Sequence, residues 1–182
     1  YIIRSAINSD YVIDLSGANV SDNRNIQLYK DNSTKAQKWG FTPTLSKEDK
    51  LAIQNKDAIK DGVYTISTVL NTDYVLNVQN NSKNNNGNIQ LNKTDYSSSQ
   101  EFIVSHDSDG YVTFTNVNSG KVIDLSSAKV ENNRNIQQYY SNETKAQKWI
   151  VVKSGTGYII RSAINSDYVI DLSGANVSDN RN

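Results

Sequence analysis

Apolar and polar residues alternate with period two in many short runs along this chain. The runs YVIDLS at Tyr11, YVLNVQ at Tyr74 and KVIDLS at Lys121 are three of them. Others are YIIRSA at Tyr1, YTISTV at Tyr64 and YVTFTN at Tyr111. Such alternation marks half-buried β-strands, because successive side chains of a strand point to opposite faces. Asn-, Ser- and Asp-rich stretches separate the runs, and these residues favour turns by bonding to nearby backbone. The pattern predicts an all-β chain of many short strands. One stretch breaks it. Residues 45–61, LSKEDKLAIQNKDAIKD, are charge-dense, and Ser46 followed by Asp49 reads as a capping box that opens a short helix over 46–56. The competing reading of this stretch is a solvated linker.

The runs belong to an internal repeat. Residues Tyr1 to Asn25 recur letter for letter as Tyr158 to Asn182, a period of 157. Tyr1–Phe41 also aligns without gaps to Tyr64–Val104 and to Tyr111–Val151. Each complete copy has the same order: an opening strand, a second strand, a polar loop leading to Asn-Ile-Gln, and a Gln-x-aromatic strand. The expected organisation is a complete third-type repeat at 1–43, a linker at 44–61, a first repeat at 62–106, a second at 107–153, and a partial third-type repeat at 154–182. About four strands per repeat gives about twelve in three. One repeat cannot bury its apolar face alone, so three are expected to close into a threefold barrel.

Composition narrows the function. With 19 basic and 19 acidic residues the formal net charge is zero, which argues against a nucleic-acid binder and against attraction to an anionic membrane. No apolar run is long enough to span a bilayer, so no membrane insertion is expected. The absence of Cys removes thiolate metal sites and a Cys nucleophile. The absence of Met marks the sequence as a mature piece of, or a window cut from, something longer. Neither a GxSxG, HExxH or phosphate-loop pattern nor an asymmetric acid/base pair is evident, so no enzyme, cofactor or metal is expected.

The motifs VIDLS, NIQLY and AQKW together resemble those of the ricin B-chain-like, R-type, β-trefoil lectins. The Gln-x-Trp signature stands as Gln37-Lys38-Trp39 and Gln147-Lys148-Trp149, and in altered form as Gln100-Glu101-Phe102. The resemblance covers nearly the whole chain outside 44–61. It implies a pseudo-threefold β-trefoil and a carbohydrate-binding, multivalent, non-enzymatic module. It also implies a secreted or cell-surface protein, with bacterial origin suggested by the lack of Cys and the Asn-rich loops. Galactose-type, xylan-type and mucin-type glycans all fit as partners, as do neighbouring copies of the same repeat. The chain reads as a permuted window on a tandem array. In that reading residues 1–25 and 158–182 compete for one slot, and the spare copy frays or pairs with another chain.

A sugar presents vicinal hydroxyls and an apolar face, so a site needs a carboxylate, a ring and amides. Carried over from the family, residue by residue, one site is Asp14, Gln27, Tyr29, Asn32 and Gln37. A second is Asp124, Gln137, Tyr139, Asn142 and Gln147, and the partial copy offers Asp171 alone. In the first repeat the carboxylate and ring positions hold Asn77 and Asn92, which suggests a dead or altered site. Ala36 and Ala146 stand where the family often has an amide, with Asn32 and Asn142 as substitutes from the loop. Each residue has a plainer reading. Asp14 and Asp124 would then satisfy backbone N–H groups, Tyr29 and Tyr139 would be ordinary strand tyrosines, and Gln37 and Gln147 would hold structure. Trp39 and Trp149 read as core, Arg24 and Arg134 as loop charges, and Tyr140 as a second stacking ring. The functional alternative is a structural or protein-binding repeat, an adhesin or filament subunit with vestigial sugar sites.

Overall fold

The computed structural model describes residues 1–181. The chain forms two units, Tyr1–Thr44 and the chain from Leu45 onward. In the first unit, β1 (Tyr11–Leu15) pairs antiparallel with β2 (Ile26–Lys30), with Asp14 opposite Gln27. The opening segment bridges back through Arg4 to Val12, and the Tyr1 and Trp39 backbones exchange N–H and C=O groups.

The second unit begins with α1 (Lys47–Asn55). Ten strands follow among the described residues. The first repeat supplies β3 (Gly62–Tyr64), β4 (Ser67–Thr68), β5 (Asn71–Val78), β6 (Gly87–Lys93) and β7 (Phe102–His106). The second supplies β8 (Val112–Asn116), β9 (Val122–Leu125), β10 (Ile136–Tyr139) and β11 (Trp149–Ser154), and β12 (Gly157–Ser162) opens the third. Hairpins β7–β8 and β11–β12 join one repeat to the next. Hairpins β5–β6 and β9–β10 lie inside repeats and keep the register of β1–β2, so Asn77 faces Gln90 and Asp124 faces Gln137. β10 pairs with β6, tying the second repeat to the first. The core of this unit draws one aromatic from the end of each of its two complete repeats, Phe102 and Trp149, together with Val78, Ile89, Phe114 and Ile123.

One contact recurs in every complete repeat. The glutamine of Gln-x-aromatic is buried and clamps its own loop. Gln37 Oε1 accepts from Asn32 N–H at 2.9 Å, and its Nε2 donates to the Lys30 carbonyl at 3.0 Å. Gln100 does the same with Asp95 and Lys93, and Gln147 with Asn142 and Tyr140. Inside each clamped loop one residue is left-handed: Ser33, Tyr96 or Glu143.

The charged stretch after Thr44 is a folded part of the second unit. The expected capping box forms: Asp49 N–H donates to Ser46 Oγ, and Ser46 N–H donates to Asp49 Oδ2, each at 3.0 Å. The stretch is packed and not solvated. Ala52 is fully buried with Tyr111, Ile150 and Ala163. Gly110 permits that approach. It is left-handed (φ +86°), and a Cβ there would lie 2.8 Å from the Ala52 carbonyl oxygen. The Tyr111 hydroxyl donates to Asp49 Oδ1 at 2.6 Å, and Ser166 donates through N and Oγ to Glu48. No helix among the described residues is long and apolar enough to cross a membrane. One copy of the repeated segment lies in each unit.

The hydrogen bond from Tyr111, and then those from Ser46, hold the Asp49 carboxyl well below the usual carboxylate range. Burial, then the bond to Asp49 and its charge, push the Tyr111 hydroxyl above its ordinary value of 10.0. A depressed acid stabilises the fold above its ordinary value and loses that contribution as the pH falls. A raised phenol stabilises below its ordinary value and loses that contribution as the pH rises. Melting temperature is therefore expected to be flat between about pH 5 and 9 and to fall on both sides. Tyr111→Phe should lower the plateau and flatten both limbs. Thermal melts of the two proteins across pH check this, and unchanged limbs in the variant would refute the assignment.

Candidate functional site

Cross-strand partners share a face of a hairpin, as do residues two apart on one strand. Asp14, its partner Gln27, and Tyr29 therefore share one face of β1–β2. Asp124, Gln137 and Tyr139 share the matching face of β9–β10. Sequence alone brought these residues together by alignment, and the structure brings them together by register.

Both carboxylates are buried, Asp14 at 6% and Asp124 at 5% exposure. Gln27 Nε2 donates to Asp14 Oδ1 and Gln137 Nε2 to Asp124 Oδ1, each at 2.9 Å. Asp124 has a further donor, because Gln147 Nε2 reaches its Oδ2 at 3.0 Å. These partners are side-chain amides, not the strand-end backbone groups of the plainer reading. Amides that hold a carboxylate in a set orientation leave its remaining lone pairs for a ligand hydroxyl.

The rings are placed differently from the carboxylates. Tyr29 is half exposed. Tyr139 lies against the exposed Tyr140, with ring centroids 4.7 Å apart and planes inclined by 36°. The second repeat thus presents a tyrosine pair where the first unit presents Tyr29 followed by Lys30. Asn85, from the first repeat, accepts at Oδ1 from Tyr140 N–H at 3.0 Å and adds an amide beside that pair. Sequence reasoning missed Asn85, since a contact between neighbouring repeats leaves no mark in the repeat itself.

Asn32 and Asn142 serve the loop first. Their Oδ1 atoms accept from the N–H and hydroxyl of Thr34 and Thr144, closing an Asx turn. What each has left for a ligand is its amide nitrogen. Gln37 and Gln147 are the clamps described above. Trp149 is core, while Trp39 is partly exposed and donates from its indole to the Ile13 carbonyl. Arg24 and Arg134 are more than loop charges. Their Nε atoms donate at 2.8 Å to the carbonyls of Ser16 and Ser126, where the chain turns left-handed after the second strand.

The other two positions differ. Asn77 accepts from the Ser99 hydroxyl at 3.0 Å, and Ser99 also donates to Asn81. Gln90 donates to Asn92 and to Asn180, a residue of the third-type repeat, and the Lys93 N–H donates to Asp179. A closed neutral network with a loop laid across it replaces the carboxylate and ring. Asp171 stands apart from any Gln–Tyr strand among the described residues. It is exposed, on the rim of a groove of about 690 Å³.

A family model described as ricin-type beta-trefoil lectin domain-like matches residues 53–139 and 98–182. No curated protein sequence matches the chain. A designed threefold-symmetric protein, ThreeFoil, is similar in structure, with a TM-score of 0.63 and 26% identity over 67% of this chain and 86% of that one. The Rhizoctonia solani agglutinin superposes with a TM-score of 0.61 and 22% identity, over 68% of this chain and 84% of its own. A mosquitocidal holotoxin covers 100% of this chain at a TM-score of 0.60 and 22% identity, while the chain spans 20% of the toxin. The fold is a β-trefoil with one short helix.

Truncating Asp124 to Ala would leave the buried amides of Gln137 and Gln147 each short of an acceptor. The expected cost is about 1–3 kcal/mol. Denaturant unfolding of Asp124→Ala beside Asp124→Asn measures it, and a loss below a few tenths of a kcal/mol would contradict the network.

Proposed function

Since the chain belongs to the ricin-type β-trefoil lectin domain-like family, we propose that it is a carbohydrate-binding module whose sites are the Asp14 and Asp124 sets. The observation that carries the reading is the repeated combination of an amide-held carboxylate with a tyrosine on the same hairpin face, Tyr29 exposed and Tyr139 partly buried against the exposed Tyr140. The carboxylate and amides bond vicinal hydroxyls, and the ring covers the apolar face of the sugar. Tyr29 alone suits a single ring, whereas Tyr139 with Tyr140 makes a broader platform. The first repeat lacks both carboxylate and ring at these positions, so two sites are expected to work.

Such sites are shallow, and a millimolar dissociation constant, about 4 kcal/mol, is the expected strength of each. Two on one chain raise avidity by about 10²–10⁴ on a glycan surface that both can reach. The module thus acts by multivalent attachment within a larger secreted or surface protein, of bacterial type in this reading. A glycan array probed with the wild type and with a Tyr29→Ala, Tyr139→Ala double variant tests it. Selective binding that disappears in the folded variant is expected, and the array names the sugar class. Absence of binding to densely displayed glycans would turn the reading to a structural or protein-binding repeat.

A further inference from the structure

The Asn-Ile-Gln strands of the repeats differ at one position. Where the first repeat has Leu91 and the first unit has Leu28, the second repeat has Gln138. An amide is costly to bury unless its polar atoms find partners. Gln138 is fully buried and finds three. Its Nε2 donates to the carbonyls of Ser82 and Asn84, each at 2.8 Å. Its Oε1 accepts from the Ser119 hydroxyl at 2.7 Å. Ser82 and Asn84 belong to the loop between β5 and β6 of the first repeat. The Gln138 carbonyl also accepts from the Asn86 N–H of that loop at 2.9 Å. One buried side chain thus fixes the 82–86 loop of one repeat on the hairpin of the next.

What this loop delivers is Asn85. It is exposed, and its Oδ1 is held by the Tyr140 N–H at 3.0 Å, which leaves its amide nitrogen for a ligand. Tyr140 is 51% exposed and rests on Tyr139, which shares a hairpin face with Asp124 and Gln137. The same junction occurs between the third-type repeat and the first. There the Lys93 N–H donates to Asp179 Oδ1 at 2.8 Å, and these two residues align with Tyr140 and Asn85. An amide and a ring therefore stand at one junction where the other has two charges. Amide and ring are what a sugar's hydroxyls and apolar face need.

We propose that Asn85 and Tyr140 form an added subsite beside the Asp124 set, with Gln138 as its positioning residue. The second-repeat site then reads at least two linked sugar units, one of them held by the first repeat. This inference rests on the carbohydrate reading and names the length of glycan that the site takes. One unit meets the Asp124 carboxylate and the Gln137 amide. The next lies on the Tyr140 ring, with Asn85 Nδ2 donating to one of its hydroxyls. Gln138 touches no sugar and acts by holding the loop. Lys30, at the place of Tyr140, leaves the Asp14 set without the second ring.

A Tyr29→Ala background removes the ring of the first unit, so that binding reports the second-repeat site. The full chain in that background is applied to an array of galactose, N-acetylgalactosamine and xylose. Each sugar is displayed alone and as the terminal unit of disaccharides. Some disaccharide is expected to bind about tenfold more tightly than its terminal sugar alone. Asn85→Ala and Tyr140→Lys should each bring that ratio towards one. Gln138→Leu, the residue the other repeats carry, should fold and lower the ratio as well. Amide hydrogen exchange at Asn86 and Tyr140 should then quicken as the loop is released. A ratio that survives all three variants, or a parent that binds single sugars as tightly as disaccharides, overturns the inference and leaves the carbohydrate reading standing. Gln138→Leu weakening both sugar lengths alike overturns its positioning role. A parent and a wild type that bind no glycan overturn the carbohydrate reading and this inference with it.

Discussion

Each lobe of this protein is held by a neutral amide. Gln37, Gln100 and Gln147 are essentially excluded from water, and each spends both ends on backbone of its own loop. A buried amide left without partners would cost about 1–3 kcal/mol, so the loop must meet the glutamine in one conformation. That conformation includes a left-handed residue and an Asx turn, and in the second unit the aromatic two positions later, Phe102 or Trp149, lies in the core. Strand register, loop shape and core packing all follow from that single side chain.

The same frame yields different chemistry according to two positions. Where the second strand carries Asp and the third an aromatic, the hairpin face holds a carboxylate beside a ring. Where both are Asn, the hydroxyl of Ser99 and a loop from the third-type repeat close the face. Backbone geometry is nearly indifferent to the exchange, because Asn77 and Asp124 hold the same register against Gln90 and Gln137. The scaffold therefore accepts either set of side chains in one register.

The repeat grammar made the fold readable, since alternation gave the strands and the gapless alignments gave their order. The capping box at Ser46 gave the helix for the same local reason. Its packing was not readable. Ala52 meets Tyr111 and Ile150 only in the folded unit, and the helix carbonyl that stands over Gly110 leaves no mark in the sequence. The Asp–Gln–Tyr sets were legible because they recur at one spacing. The arginine pins were not, because a charge beside a turn is ordinary and its acceptor is a backbone carbonyl. Asn85 and Asn180 act across repeats, where no sequence period points.

The helix edge and the lobes differ in how they meet salt. The Gln clamps are uncharged and shielded from solvent. The helix surroundings are ionic: Lys47 pairs with Asp167, Lys148 with Asp107, and Lys145 stands 3.7 Å from Asp49. Dissolved ions screen exposed pairs and leave buried neutral contacts almost untouched. In brine the helix loses ionic support while the barrel keeps its joints, so loosening is graded from that edge inward. A molecule built this way carries its sensitivity to the medium on one side and its architecture on the other.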